Sequence, residues 1–242
     1  MKILDIYKQY KIMPQQAEHM LRVAGVARII CENINSPSSY ASTVAKAMAD
    51  KKASKDRHPP FWKRGGEQDS RDIIIACLLH DMGNIIKFDF SQTKKLINQV
   101  LDLDYWRGVQ KEFREKYGSD EHIAHLQIAR ELGVSERVVE LIGAISFLGA
   151  PKNAREEDLG KKICQYADDR VSPFGVVSLE ERLLDLRSRY TNHSGQTPDR
   201  EAFENALRQM EQQIFKHSKI KPEEITEMKA QEQVVELKNF EI

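Results

Sequence analysis

The sequence contains little cysteine, carries no net charge and lacks any long apolar run. Its three cysteines, Cys31, Cys77 and Cys164, form no C-x-x-C pair. This argues against a zinc-finger or disulfide framework, and we expect reduced thiols packed as small apolar residues. Lys plus Arg and Asp plus Glu both number 37, so the formal charge is zero. That balance argues against a protein whose main task is to bind a nucleic-acid backbone.

Signals for a membrane or for secretion are also missing. The longest apolar stretch, residues 138–150, is broken by Glu140 and is too short to span a bilayer. The N-terminal residues include an early acid, Asp5, and no apolar run of signal-peptide length. We therefore expect a cytoplasmic protein without a membrane partner.

Apolar residues recur at helical spacing along most of the chain, which predicts an all-α fold. Pro14 suits a first helical turn, and residues 73–79 are apolar on every side, as in a central buried helix. No segment alternates like a strand, and no glycine-rich phosphate-binding motif follows one. We expect a helical bundle over residues 1–190 and a C-terminal helical extension over residues 191–242. The remaining helices are predicted near residues 92–102, 104–117, 121–132, 135–148, 157–170 and 178–190.

Residues 36–70 are predicted to be an insertion. The segment contains several prolines and glycines and is basic in its middle. The simplest interpretation is a solvated loop with a short helix near residues 40–52; a lid or a docking surface for phosphate is the alternative. Nucleic-acid binding through this segment is disfavoured, because Phe61 and Trp62 are its main aromatic pair.

The adjacent residues His80 and Asp81, at the end of the buried helix, are the most informative feature. A carboxylate that enters a core is costly unless something compensates its charge. A divalent cation would do so and would recruit the neighbouring imidazole. Neighbouring side chains on a helix diverge by roughly 100°, so the pair would leave other coordination positions for distant residues and for water.

Three short motifs occur in order, each on a predicted helix: H-x-x-R-V-A at residues 19–24, L-L-H-D-M-G-N at residues 78–84 and Y-A-D-D-R-V at residues 166–171. With these three motifs in this order, the chain resembles the HD superfamily of metal-dependent phosphohydrolases over about residues 15–189. The resemblance implies a helical bundle with a divalent metal at its centre and the hydrolysis of phosphoesters, most often in nucleotides. It also implies four metal ligands, His19, His80, Asp81 and Asp168.

This ligand set suits one divalent ion, and Mn, Fe, Co, Ni, Zn and Mg are all candidates for it. Such an ion polarises a phosphoryl oxygen and activates water, and Asp81 could also accept a proton from that water. The helix phase supports Asp168 over Asp169, because Asp168 shares a face with Cys164 and Val171. For Asp169 we expect an ordinary surface ion pair.

Four further residues are candidates for binding substrate phosphate: Arg22, Lys87, His122 and His125. Many relatives have a lysine at the position of Asn84, and Lys87 is a candidate to replace it. A structural salt bridge for Arg22 and a solvated position for Lys87 are the alternatives. His122 and His125 share a helix face, but the following helix offers no histidine, so a second metal is not expected.

A catalytically inactive HD module that binds a nucleotide or a partner is the main alternative to an enzyme. The presence of all four implied ligands disfavours it. The expected ligand is a small phosphorylated molecule, most simply a nucleotide, and a homo-oligomer is compatible with the sequence. Nucleoside monophosphates, triphosphates, signalling nucleotides and non-nucleotide phosphoesters all stay open as substrates.

Overall fold

The computed structural model describes residues 1–34, 66–92, 102–190 and 200–242. Most of the predicted insertion, with its short helix near residues 40–52, lies outside these ranges. So does most of the helix predicted near residues 92–102. Gly66 already belongs to a helix, so the last five residues of the segment 36–70 are helical. None of the described helices is long and apolar enough to cross a membrane.

The all-α prediction is confirmed. The described residues form eleven α-helices: α1 (Ile3–Gln9), α2 (Pro14–Asn33), α3 (Gly66–Leu79), α4 (Leu103–Tyr117), α5 (Glu121–Glu131), α6 (Glu136–Ala144), α7 (Ala150–Arg155), α8 (Leu159–Asp168), α9 (Leu179–Tyr190), α10 (Arg200–Phe215) and α11 (Glu227–Leu237). Short 3₁₀ turns lie at Asn84–Lys87, Phe90–Gln92 and Pro222–Glu224. Two tiny strands, β1 (Val171–Ser172) and β2 (Gly175–Val176), pair antiparallel, although no strand was predicted.

Helices α2, α3 and α8 form the centre of the bundle and pack against one another. Residues 73–79 of α3 are all buried, as their uninterrupted apolar sequence predicts. Helix α2 begins with Pro14 in its first turn, where the missing backbone N–H costs nothing. The three motif-bearing helices therefore meet in the core, so that the ends of α3 and α8 come close to the first half of α2.

The C-terminal helices pack on the bundle, α11 against α2 and α10 against α7 and α8. Gly25 permits the close approach of α11, because a Cβ at this position would lie 3.0 Å from the Ala230 carbonyl oxygen. The chain ends meet nearby, where the Ile3 N–H donates to the Phe240 carbonyl oxygen over 2.9 Å.

The helix predicted over residues 135–148 is wrong in its second half. Ser135 caps its start as predicted, its side chain accepting from the Val138 N–H. The helix ends at Ala144, however, and Pro151 lies in the first turn of a new helix, α7, instead of terminating an old one. The intervening turn is held partly by the Gly149 N–H, which donates to Ser146 Oγ over 3.0 Å.

Candidate metal centre and cavity

His80 follows directly after α3 and is buried, with 4% of its surface exposed. Its Nδ1–H donates to the Cys77 carbonyl oxygen over 2.8 Å, which fixes the tautomer and leaves a lone pair on Nε2. That Nε2 atom is buried and has no hydrogen-bond partner among the described residues. A buried imidazole nitrogen held in this way can accept a hydrogen bond from a ligand at the centre of the bundle, or can coordinate an ion there.

His19 and Asp168 bring their polar atoms to the same point. His19 Nε2 lies 3.0 Å from Asp168 Oδ1, and His80 Nε2 lies 3.3 Å from the same oxygen. One ligand atom from each of the three residues lies within 4.8 Å of the others. Two imidazole nitrogens and a carboxylate oxygen at this spacing form a donor set that a divalent transition metal accepts.

Asp81 lies at the edge of this trio. Its Oδ2 atom is 3.9 Å from both His19 Nε2 and His80 Nε2. The same oxygen accepts hydrogen bonds from Gln16 Nε2 over 2.5 Å and from Asn84 Nδ2 over 2.9 Å. The two amides hold the carboxylate in a fixed orientation. Neither was predicted from the sequence, although Gln16 precedes His19 by one helical turn and so faces the same way.

His125 lies beside Asp81 and is buried, whereas His122 is largely exposed. The Gly83 N–H donates to His125 Nδ1 over 2.9 Å, and His125 Nε2 lies 3.9 Å from Asp81 Oδ1. Burial lowers the pKa of His125 to about 4, so the ring is neutral near pH 7. Its remaining proton therefore lies on Nε2, on the side of Asp81. The described lining of the cavity does not include His122.

The electrostatics of the trio favour positive charge at its centre. Burial lowers the pKa of His80, but the carboxylates of Asp81 and Asp168 outweigh it and raise the value to about 9. Burial likewise opposes ionisation of Asp168, yet its hydrogen bond with His19 and the nearby His80 imidazole hold its pKa well below the ordinary value. Asp81 is also held below its ordinary pKa, because the nearby histidines outweigh desolvation.

The two cations predicted to bind phosphate both line the cavity and are both ion-paired. Arg22 Nε lies 3.0 Å from Glu227 Oε1, and Arg22 Nη1 lies 2.9 Å from Glu18 Oε2. Lys87 Nζ lies 3.1 Å from Glu121 Oε1. Arg22 therefore forms the salt bridge that was the alternative to phosphate binding, and it also lines the cavity.

The expectation of a surface position for Asp169 is wrong. Asp169 is 6% exposed, and its Oδ2 accepts from Gln165 Nε2 over 2.7 Å. Desolvation and the adjacent charge of Asp168 raise its pKa to about 7. Helix α8 ends at Asp168, and the following hairpin, with Ser172 buried, folds over this face. The polar character of neighbouring side chains misled the sequence-based interpretation, because those side chains are themselves buried.

A cavity of about 790 Å³ opens onto His19, Asp81 and Asp168. It continues to Phe147, in the turn between α6 and α7, and to α9 and α10, which supply four arginines that sequence reasoning missed: Arg182, Arg187, Arg189 and Arg200. Nothing in the periodicity of α9 or α10 distinguishes these residues from solvated surface arginines. Only the tertiary placement of the two helices brings them to the cavity.

The residues present fit a divalent metal. The orphaned Nε2 of His80 points to a ligand, and two imidazoles with one or two carboxylates are a suitable donor set. The carbonyl that fixes the His80 tautomer is a typical partner of a metal-binding histidine. Mixed nitrogen and oxygen donors suit Mn, Fe, Co, Ni or Zn, whereas Ca prefers ligands that are all oxygen atoms.

The comparison with known families agrees with this geometry. No curated protein and no solved structure matches the chain significantly. The family model of the HD domain matches residues 17–170, which include the first two motifs, all but the last residue of the third, and every residue of the trio. The match confirms the resemblance described above: the chain belongs to the HD domain family, whose members are generally metal-dependent phosphohydrolases.

Proposed function

We propose that this protein is a metal-dependent phosphohydrolase that cleaves a phosphoester of a nucleotide. The observation that carries the proposal is the convergence of His19, His80 and Asp168, where His19 and Asp168 line a cavity of about 790 Å³. A cavity of this volume lies in the range that accommodates small-molecule ligands. Cytoplasmic location and the possibility of a homo-oligomer stay predictions from the sequence.

In this proposal His19, His80, Asp81 and Asp168 hold one divalent ion. When bound, the ion polarises a phosphoryl oxygen and makes water a stronger nucleophile near neutral pH. His19 Nε2 and His80 Nε2 lie 3.0 and 3.3 Å from Asp168 Oδ1. Such short distances between acceptor atoms are stable only when a proton or a cation lies between them.

Asp81 is the proposed proton acceptor. Its low pKa keeps the carboxylate ionised near pH 7. Gln16 and Asn84 hold Oδ2 on the side of the two histidines, while Oδ1 faces His125 Nε2. We assign to this oriented carboxylate the accepting of a proton from the attacking water.

Arg22 and Lys87 are the proposed cations for the scissile phosphate, since both line the cavity. Their carboxylate partners, Glu227 and Glu121, keep them oriented in the absence of substrate. Phosphate oxygens would compete with those carboxylates for the same N–H donors. His122 and His125 both lie outside the described cavity lining, so the proposal gives neither a contact with the phosphate. The Nε2–H of neutral His125 faces Asp81 Oδ1 instead.

The test is a phosphate-release screen with the full chain over nucleoside mono-, di- and triphosphates and non-nucleotide phosphomonoesters, with cyclic nucleotides scored by the linear nucleotide that their hydrolysis forms. Each substrate is assayed with Mn²⁺ and with EDTA. We expect at least one nucleotide to release phosphate with Mn²⁺ only, and Asp81→Asn to abolish the release. Asp104→Asn is the matched control, because Asp104 is 97% exposed on α4. Tight ion binding without hydrolysis of any substrate would support the inactive binding module instead.

A further inference from the structure

The cavity extends beyond the residues that the HD family model matches. That match ends at residue 170, whereas α9 and α10 occupy Leu179–Tyr190 and Arg200–Phe215. Both helices contribute side chains to the lining. This part of the cavity therefore lies outside the matched family domain, and it is a place where the choice of substrate can be made.

Arginines dominate this part of the cavity. Asp185 pairs with both Arg182 and Arg189, at 2.8 Å in each case, so that one carboxylate serves two guanidinium groups. Glu204, itself buried, forms the ion pair with Arg187. Arg182 Nε is buried and has no hydrogen-bond partner among the described residues. Together with Arg200, these side chains give the described wall more positive than negative charge.

An aromatic platform adjoins the arginines. The rings of Phe147 and Phe203 stack with centroids 4.0 Å apart and an interplanar angle of 23°. Phe203 is buried, but Phe147 is 40% exposed and lines the cavity. Since Phe203 covers one face of Phe147, a planar ligand ring would stack on the other face. An exposed aromatic face in a cavity suits a planar ring of a ligand.

A hydrogen-bonded chain connects this platform to the metal centre. The Ser146 N–H, adjacent to Phe147, donates to Gln165 Oε1 over 3.0 Å. Gln165 Nε2 donates to Asp169 Oδ2, and Asp169 directly follows the metal-ligand candidate Asp168. The turn that carries Phe147 is thus fixed relative to the end of α8. This is the rigidity that a two-part binding site requires.

We propose that the arginine wall (Arg182, Arg187, Arg189 and Arg200) and the Phe147–Phe203 stack form a second subsite, which binds the part of the substrate remote from the cleaved phosphoester. The substrate class is a phosphoester with a planar aromatic ring and a second anionic group. The ring stacks on Phe147, and the anionic group displaces carboxylates from the arginines. The assignment of this ligand as substrate rests on the proposed function; its binding does not.

The test is calorimetric titration of the EDTA-treated full chain with adenosine, adenosine 5′-monophosphate and inorganic tripolyphosphate. Without metal the phosphate of the nucleotide can bind only to cationic side chains. We expect the monophosphate to bind at least about tenfold more tightly than adenosine, as one charge-assisted contact allows. The double variant Arg187→Gln, Arg189→Gln should remove this advantage. Phe147→Ala should weaken the binding of adenosine and of its monophosphate about tenfold but leave the affinity for tripolyphosphate unchanged.

Two matched controls separate the subsite from general effects on charge or folding. Arg208 pairs with Glu180 and Glu204 but does not line the cavity, so Arg208→Gln should leave all three affinities unchanged. Leu148→Ala, next to Phe147 and 74% exposed, should do the same. Equal affinity for adenosine and its monophosphate, no binding at millimolar ligand, or equal losses in the control variants would overturn the proposal.

Because calorimetry in EDTA does not need hydrolysis, its result stands whether or not the proposed activity is found. When phosphate release is found, the same variants should raise KM for adenosine 3′,5′-bisphosphate about tenfold without a comparable loss of kcat. Hydrolysis without any binding in EDTA, and with unchanged KM in the variants, would retain the proposed function and reject the second subsite.

Discussion

His19 Nε2 and Asp168 Oδ1 lie 3.0 Å apart, although 149 residues separate them in the chain. The contact joins the first half of α2 to the last residue of α8, and His80 completes the group from the end of α3. The bundle core, in which these three helices pack together, therefore positions the site. Disturbing the helices should disturb the ligands, whereas changing the ligands need not disturb the helices.

The first prediction concerns His80. His80→Ala should lower phosphate release more than about a hundredfold, because even changes to residues that only orient metal ligands cost 10–100-fold. The circular dichroism spectrum should stay helical, since His80 lies after the end of α3. The matched control is His122→Ala, which removes an exposed histidine of α5. If His80→Ala releases phosphate at a rate near that of the wild type, the chemistry lies elsewhere.

The second prediction concerns Asn84, which orients Asp81. Asn84→Ala should lower kcat about 10–100-fold while KM and the amount of bound metal stay close to wild type. Gln16→Leu should act in the same way, because its amide holds the same oxygen. Gln127→Ala, at an exposed position of α5, is the control. Loss of metal in proportion to activity would show that these amides support ion binding and not the proton acceptor.

The third prediction concerns Gly83, which lies against α5. A Cβ at this position would lie 2.7 Å from Ala124 Cβ and 3.2 Å from His125 Nδ1. Gly83→Ala should therefore lower the free energy of unfolding by about 1–3 kcal/mol, as overpacking does in a close-packed interior. Gly108→Ala is the matched control. Nothing lies within 4 Å of its Cβ position in the middle of α4, so alanine should stabilise that helix by about 0.5–1 kcal/mol. Urea unfolding of both variants measures the difference.

The fourth prediction concerns acid stability. Arg137 donates to both carboxylate oxygens of Asp158 over 2.7 Å. Burial opposes ionisation of Asp158, but these hydrogen bonds outweigh it and hold its pKa below the ordinary value. A lowered folded-state pKa contributes stability above the unfolded pKa, about 3.9, and that contribution is lost as the pH falls through the folded value.

Asp158→Asn should therefore lower the free energy of unfolding by about 1–3 kcal/mol near pH 7. The difference from wild type should shrink below about pH 4. Asparagine keeps an oxygen that can accept from the Lys161 N–H at the start of α8, so the loss reports the charge and not the helix cap. A difference that stayed constant down to pH 3 would contradict this account of the ion pair.

The central helices could be predicted because their signals are local, whereas the set of candidate metal ligands followed from the resemblance of three short motifs to the HD superfamily. Residues 73–79 are apolar on every side and end at His80, so a buried helix with a polar terminus follows from the sequence alone. The phase of α8 correctly turns Asp168 toward His19, but it fails for Asp169, which is buried as well.

The second half of the cavity could not be predicted, because it depends on how distant elements pack. The turn at residues 145–149 interrupts an apolar stretch that reads as one continuous helix, and it turns Phe147 onto Phe203 of α10. Asp169 is buried next to a hairpin whose two strands are too short to show strand alternation. The arginines of α9 could not be assigned to the cavity, because cavity-lining and solvated arginines have the same spacing in the sequence.

The most direct test of the account compares metal content in the wild type, Asp168→Asn and Asp169→Asn, purified without chelators and analysed for divalent metals. Asparagine preserves the shape of each side chain but removes the charge that favours a cation. We predict about one ion per chain in the wild type and in Asp169→Asn, whose amide oxygen can still accept from Gln165, and a loss of the ion together with phosphate release in Asp168→Asn. Metal bound equally by all three proteins, or lost only in Asp169→Asn, would contradict the assignment of the site.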